Sequence, residues 1–254
     1  MSDWDELETA AWSIRMRQSL KLAYSATYFA LSSEQARTDN SLAAAYFFAY
    51  YAAVHAMWSV LHLHPDESHQ SICEVTHSKL ANVFRSEFAK GTGTVLNMDA
   101  GQFVENLRFL REYYSYHMPL NFPFNDSGPL RNAHIGLGGF VKQCIQLANL
   151  HSHLIHKAAD RQHVRSALVP PARIEEIREL YSSICGKSHP SLPTCPLDPA
   201  DEFDLSRLIS VGCDLMPHSV MNEHMFDDYM TYANDHQPSG DVTNRVRTLV
   251  YNAF

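Results

Sequence analysis

The sequence predicts an all-α protein, a four- to five-helix bundle followed by a helical extension, and three observations carry that expectation. Only 10 glycines and 12 prolines punctuate 254 residues, so long stretches run unbroken. No run alternates apolar and polar residues for long, which removes the usual mark of a half-buried strand. With 45% hydrophobic and 19% charged residues the chain can bury a full core.

The first helix is expected over about 12–36 and the second from 39 or 40 to 63, with Thr-Asp-Asn-Ser at 38–41 capping the junction. The second stops at His-Pro-Asp, because proline disfavours helix in the residue before it. Between 40 and 65 there is no Asp, Glu, Lys or Arg, a length sufficient for a membrane span. The stretch is carried by Ala and Tyr, holds His55, His62 and His64, and lacks a positive flank, so a helix buried in a helical core is the better reading. No membrane partner is expected.

A third helix is expected over 67–89, closed by Lys-Gly-Thr-Gly, and a fourth over 99–117, closed by Pro119 and the loop after it. A fifth runs over about 135–164, with Gly136, Gly138 and Gly139 weakening its first turns. Past Val-Pro-Pro at 169–171 come a helix near 174–185, a Ser-, Pro- and Asp-rich loop over 186–199 and three short helices. This divides the chain into a bundle, 1–165, and an extension, 166–254.

A net charge of −8 argues against coating nucleic acid by bulk electrostatics, so any such contact is focal. The cysteines, Cys73, Cys144, Cys185, Cys195 and Cys213, are scattered without a CxxC pair and read as reduced thiols in a cytoplasmic chain. The acidic start lacks a signal sequence, so no export is expected. Residues 151–165 are basic and histidine-rich, with Asp160 the single acid, whereas 198–228 are acidic around Arg207. These stretches read either as solvated faces or as an acidic segment folded over a basic one.

Fifteen histidines call for a metal test. His153 and His156 share a helix face, but a third ligand is missing and no HExxH pattern occurs, so no metal is expected. GxSxG and Walker motifs are also absent, and Gly-Leu-Gly-Gly at 136–139 follows no strand.

What remains is an ordered set of strings. Ala-Tyr-Phe-Phe-Ala-Tyr-Tyr-Ala-Ala-Val-His-Ala begins at 45, Thr-His-Ser-Lys-Leu-Ala-Asn-Val-Phe at 76, and Asn-Leu-Arg-Phe-Leu-Arg-Glu-Tyr-Tyr-Ser-Tyr-His at 106. This order resembles the higher eukaryotes and prokaryotes nucleotide-binding (HEPN) superfamily, over about residues 12–120. The resemblance implies a HEPN-like bundle, a homodimer, RNA as substrate and no cofactor. It also implies a toxin or defence role, with a nucleotidyltransferase-type antitoxin as a partner. The family's Arg-x4–6-His motif falls on Arg111 and His117 as catalytic residues.

On an ideal helix these two stand about 120° apart in azimuth and about 9 Å apart along the axis, so they converge only at a helix end or across a dimer. The pair suits metal-independent RNA cleavage by the 2′-hydroxyl: histidine takes a proton near neutral pH and arginine holds charge gathering on phosphate. Arg108, on the same face at i, i+3, is a second phosphate contact. Glu112, Tyr113 and Tyr114 follow as substrate-side residues. Glu112 stands where active members usually carry a small polar residue, and Tyr113, Tyr114 and Tyr116 suit either a dimer cleft or modification by the partner.

Blander readings stand beside these. His117 suits a helix C-terminus, Arg111 an ion pair with Glu112 or Glu105, and His55 a hydrogen-bonded core position. Tyr46, Tyr50 and Tyr51 suit packing with satisfied hydroxyls. The alternatives to an endoribonuclease are a non-catalytic module binding nucleotide, RNA or protein, and a purely structural helical adaptor.

Overall fold

The computed structural model describes residues 4–73, 75–88, 96, 98–117, 130–162, 166–186, 191, 196–233 and 240–254. Ten α-helices carry the described residues, and the only ladder among them is a two-residue antiparallel pairing of β1 (Ser166–Ala167) with β2 (Cys213–Asp214). The all-α expectation holds at this level.

The longest helix, α1 (Glu6–Thr38), starts where Asp5 accepts from the backbone N–H of Glu8 at 2.8 Å. It returns through Asn40, at φ 55°, into α2 (Leu42–Leu61). Small residues let these two approach closely: Ala23, Ala26, Ala49, Ala52, Ala53 and Ala56 are fully buried. Ser19 and Ser59 exchange reciprocal hydroxyl-to-carbonyl bonds of 2.7 and 2.8 Å. The uncharged 40–65 stretch is therefore a core helix. It is the one described helix long and apolar enough for a span, and 67% of that window is buried in the protein.

Arg15 closes the end of α2. Its guanidinium donates to the carbonyls of His62 at 2.7 Å and His64 at 3.0 Å, meeting the negative end of the helix. Burial lowers its pKa to about 10, so the charge persists at neutral pH.

The single third helix expected over 67–89 is instead two, α3 (His69–Cys73) and α4 (His77–Phe88). The hydroxyl of Thr76 accepts from the N–H of Lys79 at 3.3 Å, an N-cap that starts a new helix. α5 (Ala100–Glu112) begins on Asp99, which accepts from Gln102 N–H at 3.0 Å, and runs into a π-helical turn, Tyr113–His117. Pro119 and the loop after it lie outside the described residues. α6 (Leu137–Arg161) starts at Gly136, whose φ of 97° favours glycine.

α7 (Ile174–Cys185), α8 (Pro199–Val211), α9 (His218–Ala233) and α10 (Gly240–Tyr251) form the extension. Its Leu215, Met221, Val246 and Val250 belong to the same buried cluster as Met16, Met57 and Phe140 of the bundle.

A polar stripe on α1 at Ser13, Arg17, Lys21 and Tyr24 faces this extension. Ser13 donates to the carbonyl of Asp214 at 3.0 Å, Arg17 pairs with Asp204, Lys21 grips both oxygens of Asp201 at 2.5 and 2.6 Å, and Tyr24 bonds Asn222. The acidic segment thus meets α1. Its contact with the histidine-rich part of α6 is neutral: His153 Nε2 lies 3.1 Å from Ser219 Oγ and His156 Nδ1 lies 2.5 Å from the Leu215 carbonyl oxygen. His163 and Arg165 of the basic stretch, like Cys195, lie outside the described residues. Cys144, Cys185 and Cys213 are free thiols.

Candidate functional site

Helical periodicity on three elements builds one cleft. Along α4, Leu80, Phe84 and Phe88 are buried, while His77, Ala81 and Arg85, with Ser78 and Asn82, line a groove. Along α5, Phe103, Leu107 and Leu110 are buried, while Gly101, Gln102, Glu105 and Arg108 form the facing wall. Tyr50 of α2 completes a cleft of about 340 Å³. Gly101 matters here because a Cβ at that position would meet Arg85 Cδ at 2.6 Å. Its bare backbone lets the arginine lie against α5.

Arg111 adjoins this cleft. Its guanidinium carbon stands 4.6 Å from the centroid of the Tyr50 ring, a cation–π contact worth about 0.5–2 kcal/mol. Its Nη2 lies 3.2 Å from Glu112 Oε1, and its Nε is buried without a hydrogen-bond partner among the described residues. Arg108 pairs with Glu105 at 2.7 Å and lies 4.0 Å from Glu112. Glu112 therefore stands between the two arginines, so the ion-pair reading of Arg111 describes its resting state. The Arg108 pairs are half-exposed, and their attraction is correspondingly weak, whereas the Arg111 side chain is only 17% exposed.

The ring of Tyr50 connects this charge to a histidine. Tyr50 Oη is 3.3 Å from His77 Nδ1, and the rings of Tyr50 and Tyr51 lie 5.8 and 5.5 Å from that of His77. Burial and the neighbouring Arg111 charge lower the His77 pKa, and its place in the first turn of α4 acts in the same direction. Burial also raises the Tyr50 pKa, keeping the phenol protonated. A neutral imidazole beside guanidinium groups is the arrangement general-base chemistry on a phosphodiester requires.

The residues singled out in the sequence separate in space. Arg108 lines the cleft, and Arg111 and Glu112 adjoin it. His117 is exposed at the end of the π turn, with no hydrogen bond or ion pair to Arg111 among the described residues. A π turn rotates less per residue than an α-helix, which swings His117 beyond the ~120° of an ideal helix and away from the Arg111 face.

Tyr113 stacks on Phe109, with centroids 5.8 Å apart. Tyr114, expected as a substrate-side residue, lies inside the chain. It is 2% exposed and stacks on Tyr46 at 5.0 Å, which makes it a core residue of this chain. Tyr116 is 72% exposed.

His77, Arg85 and Asn82 were not marked from sequence, although His77 and Asn82 lie in the string beginning at Thr76. The signal was the Thr76 cap, which breaks the helix and sets His77 at its start. His55 takes the hydrogen-bonded role expected of it, with Nδ1 2.8 Å from Ser25 Oγ and its pKa lowered by burial to about 4. Tyr46 likewise packs with its hydroxyl satisfied, donating to the Arg131 carbonyl at 3.1 Å.

A second cleft, about 370 Å³ between α1 and the start of α6, is lined by Arg37, Glu34 and His134. It has a single arginine, which donates to Tyr46 at 3.3 Å. The cleft of α2, α4 and α5 is thus the better phosphate site. No family model, no curated protein and no solved structure matches this chain.

Proposed function

We propose that the chain is a metal-independent endoribonuclease of HEPN type that takes single-stranded RNA into the α2–α4–α5 cleft. One observation carries the reading: Arg85, Arg108 and Arg111 gather with a histidine of lowered pKa around a cleft of about 340 Å³. Guanidinium groups hold a phosphodiester through forked donors, and the exposed edge of such a cleft admits a strand. Arg111 is the principal phosphate group, fixed on the face of Tyr50. Arg108 is the second, released from Glu105 as phosphate arrives.

The reading includes a homodimer, a cytoplasmic location, a toxic or defensive role, and control by a nucleotidyltransferase-type antitoxin acting on the exposed Tyr116. A non-catalytic RNA- or nucleotide-binding module is the second reading. Glu105 and Glu112 favour it, since both occupy the arginines that a substrate needs.

The test is incubation of the purified chain with mixed-sequence single-stranded RNA in EDTA, beside Arg111→Ala. The wild type is expected to leave 2′,3′-cyclic phosphate ends, and the variant to lose about a hundredfold in rate, of the order seen when one charge-stabilising donor is removed. Salt-dependent binding without cleavage selects the module. Neither binding nor cleavage refutes both readings.

A further inference from the structure

Within one chain, the motif histidine does not line the cleft. We infer that His77, held by Tyr50 and facing the arginines of α4 and α5, is the catalytic residue that takes the proton from the attacking ribose hydroxyl. The inference rests on the endoribonuclease reading and assigns its base.

Three features of the geometry support it. First, His77 and Arg111 both contact Tyr50, one through its hydroxyl at 3.3 Å and the other over its ring at 4.6 Å. One side chain thus sets the spacing of base and phosphate holder. Second, Tyr50 engages Nδ1. The proposal takes the tautomer in which Nδ1–H donates to the phenol oxygen, so that Nε2 keeps its lone pair for the substrate. Third, His77 lines the cleft together with Arg85 and Arg108, whereas His117 of the same chain is exposed at the end of the π turn. The lowered pKa of His77 adds that the imidazole is neutral at pH 7, the form that accepts a proton.

The step balances without a cofactor. The 2′-hydroxyl proton passes to His77 Nε2, the 2′-oxygen–phosphorus bond forms and the phosphorus–5′-oxygen bond breaks. The leaving 5′-oxygen takes a proton from water, and the imidazolium returns its own to water. Arg111 and Arg108 hold the charge on the non-bridging oxygens throughout. Tyr50 is a positioning residue, since it acts through His77 and Arg111.

The experiment compares wild type, His77→Ala, His77→Gln, Tyr50→Phe and His117→Ala in single-turnover cleavage of a labelled single-stranded RNA in EDTA. Binding of the uncleavable 2′-O-methyl form of the same RNA is measured in parallel, and thermal melts check that each variant is folded. Both His77 variants are expected to lose about a hundredfold or more in rate, the usual contribution of a general base. Their affinity for the 2′-O-methyl RNA should stay within about threefold of wild type, because a neutral imidazole adds little to phosphate binding.

Added imidazole should restore part of the rate to His77→Ala, which a merely structural role would not permit. Tyr50→Phe keeps the ring under Arg111 and loses only the hydroxyl, so its rate should fall while binding holds. Cleavage at the wild-type rate by His77→Ala, with the loss appearing in His117→Ala, overturns the assignment and leaves the endoribonuclease reading standing. Absence of cleavage by the wild type overturns that reading and this one together.

Discussion

Arginine, tyrosine and carboxylate meet at two places in this chain, and their surroundings give them opposite work. On the extension side of α1, Arg17 meets Asp204 with side chains 9% and 14% exposed, and Tyr181 donates to the same carboxylate at 3.0 Å. In the cleft, Arg108 meets Glu105 with side chains 39% and 57% exposed. Removed from water, a matched pair fixes how one part of the chain lies on another, since any mismatch leaves a buried charge. Left half in water, a pair of the same chemistry can open for a phosphate at little cost. Burial, more than residue type, separates the structural cluster from the candidate site.

Acid should break the buried side first and most strongly. Burial lowers the pKa of His62 to about 3 and of His218 to about 4, and His218 Nε2 holds the Met16 carbonyl at 3.0 Å. Both nitrogens of His62 are buried without a partner among the described residues. The folded state refuses a proton that the unfolded chain accepts below about pH 6.5. Stability from these residues is therefore full above 6.5 and is lost as pH falls towards 4, by about 1.4 kcal/mol per pH unit for each group. Urea melts at pH 7, 5.5 and 4.5 should show the midpoint falling, and a constant midpoint would mean that these histidines are not buried and neutral.

Asp204→Ala is the next largest expected effect. It strands the Arg17 charge and removes an acceptor from Tyr181, which should cost about 3–5 kcal/mol of stability. The double change Arg17→Met with Asp204→Leu should recover most of it, because neither charge is then buried. The corresponding cleft variant, Glu105→Ala, should stay within about 0.5 kcal/mol. Equal losses in the two would remove the distinction between the regions.

Much of the architecture was legible in the sequence because it follows from short-range rules. The uncharged 40–65 stretch, the turn at Asn40 and the prolines after the fifth helix mark the end of α1 and the bounds of α2 and α6 within a few residues, whereas α1 starts six residues before the expected position. The polar stripe of α1 was not, because nothing near Arg17, Lys21 and Tyr24 in sequence names their partners, which lie 180 to 198 residues away. The site was half legible for the same reason. Arg108, Arg111 and Glu112 lie within one helix and share a pattern. His77 reaches them only through the Thr76 cap and the packing of α4 on α2, a contact between distant segments. His117 shared the motif, but the π turn carries it elsewhere, and no periodicity rule announces a π turn.

The smallest expected effect tests the weak pairing itself. Glu112 Oε1 lies 3.2 Å from Arg111 Nη2 and 4.0 Å from Arg108 Nε, so it competes with any phosphate for both groups. Glu112→Gln keeps the shape and a hydrogen-bond acceptor and removes one negative charge. At a half-exposed site that charge is worth about 0.3–1 kcal/mol against a phosphate, or about a two- to fivefold gain in affinity for 2′-O-methyl RNA at low salt. The gain should fade as ionic strength rises, because screening at 0.15 M reaches about 8 Å. If binding weakens instead, Glu112 holds Arg111 in place for the ligand. The cleft would then resemble the buried clamp, with its carboxylate part of the machinery and not its competitor.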